Sequence, residues 1–110
     1  MRAARLRRSG DISVVRTEGR SLRRAAFVTR ARRADGPQTR IAVTAPRTVG
    51  TSVARNRARR RVREAFRIAT TQRGSGRGLE LVVTARPEAL TEDFPKLRDD
   101  AASVLAEASR

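Results

Sequence analysis

The sequence predicts a single α+β domain, and three observations carry that prediction. Three short β-favouring runs, "AAFVTRA" (25–31), "TRIAVTA" (39–45) and "LELVVTA" (79–85), are each bounded by turn residues. Two longer segments repeat apolar residues at three- and four-residue steps, the signature of amphipathic helices. The chain's 110 residues suit one compact unit and show no internal repeat.

The start of the chain reads two ways. "DISVV" (11–15) favours a strand, because Ile and Val lose rotamer freedom in a helix. Ser9 as a cap and Gly19 as a terminator instead bracket a short helix. The "RRADGPQ" stretch between the first two β runs suits a hairpin connection. Residues 52–70 form the first clear helix: at 100° per residue Ala54, Ala58, Val62, Ala65 and Ala69 share a face, with Phe66 at its edge. Thr51 or Ser52 caps it, after Gly50. "RGSGRG" (73–78) is a turn leading into the third strand. The last helix takes Leu90, Phe94, Leu97, Ala101, Val104, Leu105 and Ala108 on its apolar face. Thr91 is its cap, Glu92 and Asp93 suit the positive end of the dipole, and Pro95 is tolerated in the first turn. The domain spans 1–110, with residues 1–5 and 108–110 expected to fray.

Charge narrows the partners. There are 26 Lys+Arg against 11 Asp+Glu, a formal net charge of +15, and Lys96 is the only lysine. Before Leu79 there are 22 bases and four acids; from Leu79 onward there are seven acids and four bases. A field this one-sided calls for a polyanion or an anionic surface. A membrane is not expected: no run approaches 18 apolar residues, and the basic helix has an alanine- and valine-rich back. "MRAARLRR" lacks the apolar stretch of a secretory signal. Cysteine and histidine are absent, which removes disulfides, thiol nucleophiles, imidazole bases and zinc fingers together. Nucleic acid in the cytoplasm is the expected partner. The core is thin: Val, Ile, Leu and Phe total 23 residues, and 18 more apolar positions are alanine.

No catalytic constellation is visible. The acids are scattered, and Glu64 among arginines reads as a helix-stabilising partner. "GSGRG" lacks the lysine and the strand-to-helix setting of a phosphate loop. The stretch "TSVARNRARRRVREAFR" (51–67) differs, with seven arginines and one acid from Arg55 to Arg67. Asn56, Arg59, Arg60, Arg63 and Arg67 fall opposite the alanine face, a stripe about three turns long. Arginine's planar fork binds phosphate oxygens in pairs and keeps its charge. The helix start at Gly50–Ser52 offers further N–H donors, and Asn56 can read a base edge or a 2′-hydroxyl. With no Trp or Tyr, and Phe27, Phe66 and Phe94 all in apolar patterns, a base-stacking platform is not expected.

"VGTSVARNRARRRVREAFR" (49–67) closely resembles the signature of the bacterial ribonuclease P protein component. "LRRSGDI", Gly19, "RIAVTA", "LELVVTARP" and "FPKL" extend the resemblance from Leu6 to Ala106. It implies a two-layer α/β sandwich in the order α-β-β(-β)-α-β-α, with a left-handed β-α-β crossover containing the Arg-Asn-Arg helix, and "DISVV" as helix. It also implies a non-catalytic subunit of a ribonucleoprotein endoribonuclease. In that family the RNA subunit, with Mg²⁺, removes the 5′ leader of precursor tRNA; the protein binds that RNA and holds the leader between sheet and first helix. One protein per RNA is expected, with no metal assigned to the protein itself.

Carried over by position, the RNA contacts are Arg47, Arg55, Asn56, Arg57, Arg59, Arg60 and Arg63, with Arg67 closing the stripe. The leader cleft takes Ile12, Arg16, Arg30, Arg59 and Arg63. The family usually carries an aromatic where this chain has Ile12, often one at Arg16 and commonly one at Arg30. Phosphate contact or guanidinium stacking by Arg16 and Arg30 is therefore the expectation. Thr48 stands where a basic residue is common, Pro46 interrupts the usual run and Ser52 replaces a small apolar residue. The alternative is a structural RNA-binding protein of ribosomal-protein type. A helix-turn-helix DNA binder is disfavoured by the β runs before the basic helix.

Overall fold

The structure is a computed structural model describing residues 4–7, 9–73 and 76–110. Its elements are β1 (Ala4–Arg5), α1 (Ser9–Glu18), β2 (Arg20–Arg23), β3 (Phe27–Arg33), β4 (Arg40–Thr44), α2 (Ser52–Arg73), β5 (Leu79–Ala85) and α3 (Phe94–Ala108). Short 3₁₀ turns at Arg47–Val49 and Pro87–Leu90 lead into α2 and follow β5. The helical reading of "DISVV" is the one found. Gly19 ends α1 by close approach: its N–H donates to the Val15 carbonyl at 2.8 Å. A Cβ there would sit 2.4 Å from that same oxygen.

The five strands lie in the order β1-β4-β5-β3-β2. β5 pairs parallel with β4 and antiparallel with β3. The hairpin expected between β3 and β4 is therefore replaced: β5 lies between them, and the hairpin is β2–β3. The reason is burial. β5 is buried at every residue but Thr84, so its place is the middle of the sheet, covered on both faces.

On one face Phe27, Ile41, Val43, Leu81 and Val83 pack against Val62 and Phe66 of α2 and Leu97, Val104 and Leu105 of α3. Phe27 and Phe66 meet edge to face, centroids 5.2 Å apart, and both are fully buried. Each contributes about 1.5–3 kcal/mol by burial alone. Phe94 is partly buried against the same core. On the other face α1 rests on a small cluster of Leu6, Val15 and Val82, with Ile12 and Ala42 beside it.

The ends differ from expectation in detail. Ala4 and Arg5, assigned to the fraying start, pair with Arg40 and Ile41 of β4; residues 1–3 lie outside the described residues. Ser109 accepts a 2.9 Å hydrogen bond from Arg73 and donates to Leu105 at 2.7 Å. α3 begins at Phe94 with Asp93 at the N-cap, later than the Thr91 cap assigned from sequence. Leu90 belongs to the preceding 3₁₀ turn, because Pro95 in the first helical turn sets the true start. The Ser9 side-chain cap and residues 74–75 of the glycine turn lie outside the described residues.

Candidate nucleic-acid interface

Gly50 turns the chain into α2 with φ +138° and ψ −147°, a conformation open to glycine alone. Thr51 then caps the helix, its Oγ1 accepting the Ala54 N–H at 3.2 Å. Most of the alanine face is buried as predicted: Ala58, Val62, Ala65 and Ala69 are inside, Ala54 is half-buried in the first turn, and Phe66, placed at the edge from sequence, is fully buried. Burying that face fixes the rotation of the helix, so the arginines are sorted by position into outward, groove-facing and structural roles.

Facing outward, Asn56, Arg57 and Arg60 join Val53 and Arg61 around a shallow depression of about 390 Å³. Val53 among them is 80% exposed. Asn56 is pre-oriented, its Oδ1 accepting from the Arg59 guanidinium. Arg47 is exposed on the turn before the helix.

The other flank of α2 faces a groove of about 340 Å³ along β4. Arg5, Leu6, Arg7 and Ile12 form one side, β4 residues Ile41–Thr44 the floor, and Arg63 the opposite side. A smaller recess of about 110 Å³ continues it, between Ala4, Arg5, Ile41, Arg63 and Arg67. No carboxylate lines either space. Partial burial, then the neighbouring charges of Arg5 and Arg59, press the Arg63 pKa below the usual arginine value. Like charges gathered without a counter-ion are what a phosphate relieves.

Besides Arg59, which holds Asn56, three of the sequence-assigned arginines are partly engaged. Arg55 donates its Nε to the Ala45 carbonyl at 2.8 Å, tying α2 to the end of β4. Arg67 makes a two-pronged pair with Glu64 at 2.6 and 3.0 Å, as the helix-partner reading of Glu64 expects. Arg30 donates through Nε (3.1 Å) and Nη2 (2.6 Å) to the Arg16 carbonyl, closing the last turn of α1.

The structure thus divides the expected cleft set. Ile12 and Arg63 share the groove, with Arg59 one turn from Arg63 on the same flank. Arg16 lies at the far end of α1, and Arg30 lies on β3 beside it. Arg30 is in register with Val82 and Val82 with Ala42, so Arg30 is two strands from the groove floor, roughly 9–10 Å.

Sequence reasoning missed four residues: Arg5 and Arg7 in the groove, Arg61 and Glu80. Arg5 enters the groove because β1 pairs with β4, and a two-residue strand leaves no periodicity to read. Arg61 sits in the basic run, yet it donates to the carbonyls of Ala89 (2.8 Å) and Glu92, clamping the turn before α3. Glu80 is 5% exposed beneath α1. An acid inside "LELVVTA" was the available signal.

This fold and groove define a small basic α+β protein whose carboxylate-free arginine clusters lie on two flanks of one helix. The ribonuclease P family model matches residues 1–109, and the chain belongs to that family. It is similar to the ribonuclease P protein component of Chloroflexus aurantiacus: 38% identical over 108 residues, 97% of this chain and 78% of that one. With the component of Symbiobacterium thermophilum it shares 40% identity over 98 residues, covering 88% and 84% of the two chains. The fold matches the RNase P protein from Thermotoga maritima with TM-score 0.77 at 29% identity, covering 94% of this chain and 96% of that one. The Staphylococcus aureus RNase P protein, at 21% identity and TM-score 0.76, matches in fold. Among the described residues no helix is long and apolar enough to cross a membrane.

Proposed function

We propose that this chain is the RNA-binding subunit of a ribonuclease P holoenzyme. In this reading it grips the RNA subunit through the outer face of α2 and holds the 5′ leader of precursor tRNA in the groove along β4. The observation that carries it is the carboxylate-free groove with Arg5, Arg7 and Arg63 on its rim, one helix flank away from Asn56, Arg57 and Arg60. One helix thereby presents two phosphate-seeking surfaces, suited to two RNA strands. The apolar floor and Ile12 accept the less polar parts of a single strand, and the arginines take its phosphates. The leader is gripped by charge and shape, because all three phenylalanines face or abut the core. In this proposal Arg30 acts by fixing the end of α1, and Arg16, which is exposed, remains available to a phosphate.

Hydrolysis belongs to the RNA in this proposal. Among the described residues no three His, Cys, Asp or Glu side chains converge to hold a cation. The described residues offer no Mg²⁺ centre, and in this proposal the ion is held by the RNA. The protein contributes neutralising charge and a fixed path for the leader, which raise substrate affinity most when Mg²⁺ is scarce. The protein acts with one RNA subunit and one precursor tRNA, in the cytoplasm. Recovery of the RNA bound in cells tests the reading. An RNA of a few hundred nucleotides that cleaves precursor tRNA supports it; ribosomal RNA would favour the structural alternative and sink it.

A further inference from the structure

One wall of the groove is α1, and its apolar attachment is slight. Val15 is its one fully buried large side chain, packed with Leu6 and Val82, and Ile12 is only partly buried. Beneath it lies a chain of alternating charges. Arg32, Glu80 and Arg40 stand in register across β3, β5 and β4. The nearly buried Glu80 carboxylate accepts from Arg32 Nε at 2.9 Å on one oxygen and from Arg40 on the other. Each arginine then reaches a carboxylate of α1. Arg40 Nη1 lies 3.8 Å from Asp11 in the first turn, and Arg32 Nη1 lies 4.0 Å from Glu18 at the last residue.

We propose that Glu80 is a positioning residue for substrate: it holds Arg32 and Arg40 as two fixed posts on which α1 docks at both ends, and so sets the width of the groove. This rests on the leader-binding reading of that groove. Exposed ion pairs such as those of Asp11 and Glu18 are ordinarily weak, because two mobile side chains must be ordered to make them. Here the arginine partners are already ordered by a buried carboxylate, which lowers that cost. Without the Glu80 charge, two guanidiniums are left under α1 with no buried counter-ion. They turn to water, and α1 keeps its small apolar cluster and the Arg30 bonds to the Arg16 carbonyl.

The test uses the reconstituted holoenzyme with wild-type protein, Glu80→Gln, Arg63→Ala and the double variant Asp11→Asn/Glu18→Gln. Affinity is measured for precursor tRNA with and without a leader, affinity for the RNA subunit is measured alongside, and amide hydrogen exchange of the free protein reports on α1. Glu80→Gln is expected to lower the affinity gain due to the leader about fivefold, while RNA-subunit affinity stays within about twofold. Faster exchange should be confined to α1. The double variant alters only surface carboxylates, so it replaces Glu80→Gln should that variant fail to fold: a smaller leader gain supports the proposal. Unchanged α1 exchange, or an intact leader gain with a loosened α1, overturns it. An absent leader gain in wild type, or one indifferent to Arg63→Ala, means that the groove reading has failed. The docking role of Glu80 then stands or falls on the exchange result alone.

Discussion

Arg60 and Arg61 are neighbours in the same basic run, and the structure predicts opposite consequences for removing them. Arg60 is exposed and has no hydrogen-bond or ion-pair partner among the described residues, whereas Arg61 is tied to the Ala89 and Glu92 carbonyls. Arg47, Arg57, Arg59, Arg60 and Arg63 lack a carboxylate partner among the described residues, while Arg55, Arg61 and Arg67 are engaged within the protein. About five phosphates neutralised by the first group give a slope of log affinity against log salt of roughly −3.5 on single strands to −4.5 on duplex. Arg60→Ala should flatten that slope by about 0.7–0.9 and leave the melting temperature nearly unchanged. Arg61→Ala should leave the slope unchanged and cost about 1–3 kcal/mol of stability, because two buried-side carbonyls lose their donor. Filter binding to the RNA subunit across a salt series, with urea unfolding of each variant, reads both quantities. A wild-type slope near −1, or an equal loss of slope in both variants, would refute this division of labour.

Three further predictions concern the scaffold. Gly50→Ala forces a side chain into the φ +138° conformation that starts α2, and should cost about 1–3 kcal/mol in urea unfolding; a neutral result would mean the turn relaxes freely. Thr29 Oγ1 is fully buried without a partner, so Thr29→Val, which keeps the shape, should stabilise the fold by about 1 kcal/mol; destabilisation would reveal a partner for the hydroxyl. The Glu64 carboxyl is held below its ordinary pKa of 4.5, first by the hydrogen bond from Arg67. Its stabilising contribution is therefore complete above that ordinary value and is lost as pH falls through the lower folded value. Glu64→Gln should make stability less steeply dependent on pH as pH falls below that ordinary value of 4.5; an identical acid limb would show the pair to be without effect.

What was legible in the sequence followed from periodicity. α2 declared itself because alanines at three- and four-residue steps must be buried, and burying them turns the arginines outward. β5 could be read as a strand, but its neighbours could not, because an apolar run says that both faces are covered without saying by what. That is why a β3–β4 hairpin was expected where β5 intervenes. α1 was locally ambiguous since Ile12, Val14 and Val15 favour strands, and tertiary docking over Val82 decided it. The site was legible to the extent that it lies on one helix. Arg5 and Arg7 come from the far end of the chain, and only sheet pairing brings them to the groove. Arg55, Arg61 and Arg67 look like their neighbours in the run, and only the position of nearby carbonyls and Glu64 gives them other work.

In the proposed function the groove flank of α2 supports leader removal by a catalytic RNA. Precursor-tRNA cleavage by the RNA subunit at low Mg²⁺, with no protein, with wild-type protein and with Arg59→Ala plus Arg63→Ala, tests it directly. Strong stimulation is predicted for the wild type and at least a tenfold loss for the double variant, about 1.4 kcal/mol, from two lost phosphate contacts. That loss should vanish on a substrate without a leader. Equal stimulation by both proteins, or an equal loss with and without the leader, would contradict it.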